Sequence, residues 1–199
     1  PKTRVTILPP VKLDVNPNLK GRARRQAAGA RLQDIMTETA VKTAPIHQTL
    51  FEALVKAKIE RDTGKPAVED PLGTKLSYKK LILAAQVLGR KLAPLAAEGK
   101  ALGVMLPNSA GAAVTFFALQ SIGRVPAMLN FTAGAQSIAA ACKAAEVKVI
   151  LTSRAFIEKA RLGEVISKLE ADAKIVYLED VKASISFIDK LAGLMQGNK

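Results

Sequence analysis

The chain has 199 residues, 49% of them hydrophobic but only 4% aromatic, with one cysteine, one histidine and a net charge of +13. That is enough apolar side chain for one ordinary α/β domain, or for a smaller domain with a long extra segment. The single Cys142 excludes an intramolecular disulfide and favours the cytosol, no apolar run approaches the ~20 residues that span a bilayer, and the first ten residues lack the apolar stretch of a signal peptide.

Residues 3–8 alternate weakly and read as a strand, which Pro9-Pro10 ends. Residues 11–20, with Pro17 and two Asn, read as extended or turn-like. A helix is predicted over 21–39, with Ala28, Leu32, Ile35 and Met36 on one face. Pro45 forbids its continuation, and residues 41–46 are read as a linker. Eight basic residues (Lys2, Arg4, Lys12, Lys20, Arg22, Arg24, Arg25, Arg31) against Asp14 put +7 of the charge into the first 31 residues. Such a patch suits an anionic membrane surface or an acidic partner protein, with Arg22, Arg24, Arg25 and Arg31 as candidate contacts; a solvated or covered surface is the plainer alternative. Nucleic acid is disfavoured, because the basic helix lacks interleaved aromatics and matches no helix–turn–helix spacing.

A second helix is predicted over 47–61, with Leu50, Leu54 and Val55 inward. Residues 66–69 and 74–78 flank the turn Asp70-Pro71-Leu72-Gly73 and read as a β-hairpin. Its second arm runs into a helix that Ser77 can cap, with an apolar stripe of Leu81, Ile82, Ala85, Leu88 and Leu92.

Residues 101–131 form the centre of the pattern. An apolar run over 101–106 stops at Pro107-Asn108, Ser109 can cap a helix through Ile122, and Gly123-Arg124 leads into a second apolar run over 125–129. Both runs are nearly continuous, the mark of strands covered on both faces, so both are expected at the centre of a parallel sheet. Further helices are expected over 132–145, from Arg154 after a Thr152-Ser153 cap, over 162–171 and over 185–195, with strands over 147–151 and 175–178. This alternation predicts an α/β fold: a doubly wound, mostly parallel sheet with helices on both faces and right-handed crossovers.

Residue chemistry narrows the function by exclusion. No Gly-Xaa-Gly occurs, so neither a dinucleotide fingerprint nor a P-loop is present. His47 has no second His and no suitably spaced Cys, so no metal site and no Ser-His-acid triad is recognisable, and no metal-binding or catalytic residue is assigned. Glu69-Asp70 and Glu179-Asp180 sit at strand ends, where ligands bind in doubly wound sheets, but adjacent residues on an extended chain point apart. The plainer reading is that they are solvated turn residues. Asn108 and Asn130 also follow strands and suit turn or cap chemistry.

Four segments, L-S-Y-K-K-L at 76–81, G-V-M-L-P-N-S at 103–109, I-G-R-V-P-A-M-L-N-F-T at 122–132 and V-K-V-I-L-T-S-R at 147–154, resemble in order and spacing the N-terminal part of the adenylate-forming acyl ligases. L-N-F-T-A-G at 129–134 and L-T-S-R-A-F-I-E-K-A-R-L at 151–162 are similar to the bifunctional branch. That branch couples a glycerophospholipid acyltransferase domain to an acyl-acyl-carrier-protein synthetase domain. The segments at 3–10 and 21–36 resemble the tail of its acyltransferase domain. The resemblance implies three parts: residues 1–40 as acyltransferase tail, 41–46 as linker, and 47–199 as a partial N-terminal subdomain of the adenylating domain. It implies ATP and Mg²⁺ as cofactors of the parent enzyme, with none bound by this portion. It implies acyl carrier protein and a lysophospholipid as the parent's partners, and a place at the cytoplasmic face of an inner membrane. The family's catalytic motifs match no position here, so what carries over is structural: Asn108 and Asn130 at the turns after two strands, and Arg154 at the start of the helix after a third. A half-domain of this kind is expected to expose apolar surface and to self-associate.

Overall fold

The computed structural model describes residues 5–44, 48–61, 64–186 and 189. Contacts divide the chain into two compact units, Pro1–Gln48 and Thr49–Lys199. His47 and most of the helix expected over 185–195 lie outside the described residues.

In the first unit, residues 5–8 take no regular structure, so the described part of the expected first strand is not a strand. Proline at 9 and 10 removes two backbone donors from the segment's end, and the segment meets no partner edge. Helix α1 (Gly21–Thr43) runs four residues beyond the predicted end and takes in three residues read as linker. Nothing between Thr39 and Thr43 breaks a helix; the stop comes at Ala44, forced into the extended region (φ −65°, ψ 144°) by Pro45 behind it. No residue of α1 is fully buried, and Leu32 and Met36 of the predicted inner face are exposed.

The second unit opens with α2 (Leu50–Arg61). A reciprocal capping box starts it: the Glu52 amide donates to Thr49 Oγ1 (3.1 Å), and the Thr49 amide donates to Glu52 Oε2 (2.7 Å). Leu50, predicted inward, is exposed, and Phe51 packs on the core instead. Strands β1 (Val68–Glu69) and β2 (Lys75–Leu76) pair antiparallel as the expected hairpin. Helix α3 (Tyr78–Leu92) begins at Ser77, whose Oγ accepts from the Lys80 amide (3.3 Å), and buries the predicted Leu81, Ile82, Ala85 and Leu92.

Four parallel strands follow: β3 (Ala101–Val104), β4 (Val125–Met128), β5 (Val149–Thr152) and β6 (Lys174–Tyr177), in the order β4-β3-β5-β6. Side chains alternate across the sheet. Leu102, Val104, Val149 and Leu151 face one core with Ala85 and Leu92 of α3 and Ala118 and Leu119 of α4 (Ala110–Ser121). Met105 and Ile150 face the other, with Ile138 and Cys142 of α5 (Ala135–Ala144), Phe156 of α6 (Arg154–Lys159) and Ile166 and Leu169 of α7 (Gly163–Leu169). The predicted doubly wound α/β architecture is therefore present. One part of it is corrected: β3 is central, but β4 is an edge strand, with Val125 50% and Met128 57% exposed. Pro126, which has no N–H for a second ladder, fits an edge. A six-residue helix, α8 (Leu178–Ala183), follows β6 directly and was not predicted. Among the described residues no helix is long and apolar enough to cross a membrane.

Candidate functional site

In a doubly wound sheet, the crevices at the carboxyl ends of the strands open where consecutive connections leave to opposite faces. Here the chain leaves β3 towards the α3/α4 face and β5 towards the α6/α7 face, while β6 leads back to α8 on the first. Neighbouring strands diverge in this way between β3 and β5 and between β5 and β6, and also between β3 and β4, which leads to α5 on the α6/α7 face. The predicted residues Asn108, Asn130, Arg154 and Glu179-Asp180 all lie along this edge.

The turn after β3 is built from Pro107, Asn108 and Ser109. Ser109 Oγ accepts from the Ala112 amide (3.2 Å) and caps α4 as predicted. A second cap was not predicted. Asp70, in the hairpin turn, accepts from the Ala110 amide through Oδ2 (3.0 Å) and from the Leu72 and Thr74 amides through Oδ1 (3.0 and 2.9 Å). These N–H groups, Ala110 foremost, hold its carboxyl below the usual carboxylate range. Asp70 is thus the residue that fastens the hairpin to α4, forty positions away. Its partner, Glu69, pairs with Lys75 across the hairpin (2.8 Å). The exposed Asn108 lies with Val68, Pro71, Phe116, Phe117 and Met128 along an open groove of about 410 Å³ between hairpin and α4.

After β4, Asn130 Oδ1 accepts from the amide (3.0 Å) and the hydroxyl (2.8 Å) of Thr132, closing an Asx turn ahead of the 3₁₀ turn Phe131–Ala133. After β5, Thr152 does not cap a helix: it is fully buried, and its hydroxyl donates to the Met105 carbonyl (2.8 Å), zipping the end of β5 to the end of β3. Ser153 alone caps α6, accepting from the Phe156 amide (3.3 Å).

The crevice between β5 and β6 is bridged by side chains. Arg154 forms a two-pronged pair with Asp180 (Nη1–Oδ1 and Nη2–Oδ2, both 2.7 Å), and its guanidinium lies 4.2 Å from the centre of the Tyr177 ring. The Ser153 hydroxyl donates to Glu179 Oε1 (2.8 Å). The hydrogen bonds from Arg154 lower the Asp180 carboxyl, and those to Asp180 raise the guanidinium. Burial pushes Glu179 up, but the Ser153 hydroxyl and nearby backbone N–H groups outweigh it and hold the group below its ordinary value. Both acids reach the same loop because they sit in the first turn of α8, on a helix and not on the extended chain assumed from sequence.

The basic candidates lie elsewhere, on α1. Arg22, Arg24 and Arg25 are exposed and have no partner among the described residues, while Arg31 approaches Glu38 (3.8 Å). Cys142 is buried, which pushes its thiol up. Among the described residues, no group of three or more His, Cys, Asp or Glu side chains could hold a metal ion.

A family model described as AMP-binding enzyme matches residues 55–192. Among solved structures, the N-terminal domain of FACL13 from Mycobacterium tuberculosis is 17% identical, with a TM-score of 0.57 over 70% of this chain and 37% of that one. A benzoate CoA ligase from Burkholderia xenovorans is 15% identical (TM-score 0.57; 70% of this chain, 29% of that one). The NpsA N-terminal subdomain of Klebsiella oxytoca, in complex with 3-hydroxybenzoyl-AMSN, is 13% identical (TM-score 0.55; 70% and 32%). The chain spans less than two-fifths of each of these proteins, and the likeness is one of fold. The parallel sheet with its two helical layers has the fold seen in those structures, and with the matched model covering most of its length the chain belongs to the AMP-binding enzyme family.

Proposed function

We propose that this chain is the scaffolding portion of a fatty-acid-activating ligase joined to a lysophospholipid acyltransferase. In that reading the intact enzyme activates a fatty acid as its acyl-adenylate, forms an acyl thioester on acyl carrier protein, and passes the acyl group to a lysophospholipid at the cytoplasmic face of an inner membrane. The observation that carries the reading is positional. The four family-like segments fall at the start of α3 and at the carboxyl ends of β3, β4 and β5, the edge at which such a sheet meets its ligand. The likeness of residues 129–134 and 151–162 to the bifunctional branch supports the fatty acyl choice over an aromatic one.

The family implies ATP and Mg²⁺ in the intact enzyme. The described residues do not fit them. The amino end of α4, where a phosphate would meet free N–H groups, is filled by the Asp70 carboxylate and the Ser109 hydroxyl. The carboxylates of α8 are spent on Arg154 and Ser153. Carboxylate attack on a phosphate needs its charge neutralised, and this edge offers phosphate a negative charge instead. The chain by itself is therefore inactive, and its role is to hold strand ends in place.

Fatty-acid-dependent ATP–pyrophosphate exchange tests both statements. The full-length product of the gene is expected to exchange with long-chain fatty acids and not with benzoate, while the 199-residue chain gives none. Exchange with aromatic acids only would overturn the substrate class, and exchange by the chain alone would overturn the scaffolding role.

A further inference from the structure

We infer that the first unit is a docking surface for an anionic lipid bilayer. Successive helix residues turn by about 100°, so Arg25, Leu32 and Met36 project from one side of α1, with Arg22 flanking them. Arg24 lies on the other flank, and the acids Asp34 and Glu38 lie on the opposite side. Leu32 and Met36 are 53% and 61% exposed, and Val5, Ile7, Val11 and Leu13 ahead of the helix are exposed as well. Arg22, Arg24 and Arg25 meet no acid among the described residues, and the first turn of α1 contains none, although acids are favoured there by the helix dipole.

This arrangement selects its occupant. In a protein–protein interface, Arg25, about two turns before Leu32 on the same side, would be buried with Arg22 and Arg24 beside it, and each would need its own acid from the partner. At a bilayer surface the aliphatic side chains enter the acyl boundary while the arginines reach up to lipid phosphates. Nucleic acid would use the charges, but it gives the exposed aliphatic residues no role, and residues 5–44 hold no aromatic side chain for stacking on bases. Lys2, Arg4, Lys12 and Lys20, against Asp14 alone, add attraction over roughly the Debye length.

Co-sedimentation of the full 199-residue chain with vesicles tests the inference independently of any ligase activity. Vesicles of phosphatidylcholine with about one-third phosphatidylglycerol are expected to carry the chain down at low salt, and about 0.5 M salt to release it, because screening shortens the field. Pure phosphatidylcholine is expected to leave it in the supernatant. The triple change Arg22→Gln, Arg24→Gln, Arg25→Gln should weaken binding on the order of a hundredfold. The pair Leu32→Ser, Met36→Ser, at exposed positions, should weaken it by about tenfold or more. Equal binding to neutral vesicles, no binding to anionic ones, or an unchanged triple variant would each overturn the inference. Tighter binding to a short RNA duplex than to the vesicles would replace the bilayer with nucleic acid.

Discussion

Two side chains join parts of the second unit that no secondary-structure ladder connects. Asp70 is one. Its carboxylate accepts three backbone N–H bonds, one from α4. Its folded pKa is depressed, so its contribution to stability is present above the unfolded value of about 3.9 and is lost as pH falls through the lower folded value. Asp70→Ala is therefore expected to lower the Tm at pH 7 and to converge on the wild type in acid; a difference that persisted unchanged to low pH would sink the charge-assisted account. Arg124 is the other. Half-buried, it donates to the carbonyls of Ala96 (3.0 Å), Ala93 (3.1 Å) and Ile122, tying the turn after α3 to the end of α4. Arg124→Ala leaves these acceptors without a protein donor and should cost about 1.5–3 kcal/mol in urea unfolding. Arg124→Lys should recover only part, since an ammonium cannot span the three carbonyls in a fixed fork.

At the scale of elements, α3 and α4 cross at Gly89. A Cβ there would stand 2.8 Å from the Ala118 carbonyl and 2.7 Å from Ser121 Oγ. Gly89→Ala should therefore destabilise by about 1–2 kcal/mol despite its gain in helix propensity. Gly111→Ala, on α4, has only Ser109 Oγ at 3.6 Å and should be neutral or stabilising; similar losses at both sites would show that the crossing is not the cause. The strand–helix alternation and the caps at Ser77 and Ser109 were legible because hydrophobic period and cap chemistry are local. What needed the fold were long-range partners. Asp70 meets α4 forty residues away, and β4 lies at an edge although its apolar run resembles that of central β3. Pro126 was the one local sign of that edge. Helix α8 has no local signal, because Leu178 prolongs the apolar run of β6 and the helix is held from outside by Arg154 and Ser153. Removing that clasp with Arg154→Ala is expected to speed amide exchange across α8 and leave α3 unchanged; equal protection in both proteins would show that α8 stands without it.

At the scale of the molecule, the outer side of β4 pairs with no strand among the described residues. The outer side of β4 carries exposed Val125 and Met128, and Met128 continues into the groove with Phe116 and Pro71. Natural edges are blunted by charge, by proline or by a covering element. Here Pro126 removes one donor, and the neighbouring strand residues are apolar. The benzoate CoA ligase that shares this fold, of which this chain covers 29%, has further chain with which to cover such an edge. The chain alone has a second copy as its nearest substitute, and an exposed apolar edge drives such contacts. Sedimentation velocity should therefore show concentration-dependent association of the 199-residue chain, with the paired change Val125→Lys, Met128→Lys returning it to monomer. Both positions are at least half exposed, so the fold should tolerate lysine there, and an unchanged far-UV spectrum checks that it does. A wild-type chain that stays monomeric at all concentrations, or a lysine variant that associates as before, would place the sticky surface elsewhere and leave β4 sufficiently guarded by Pro126.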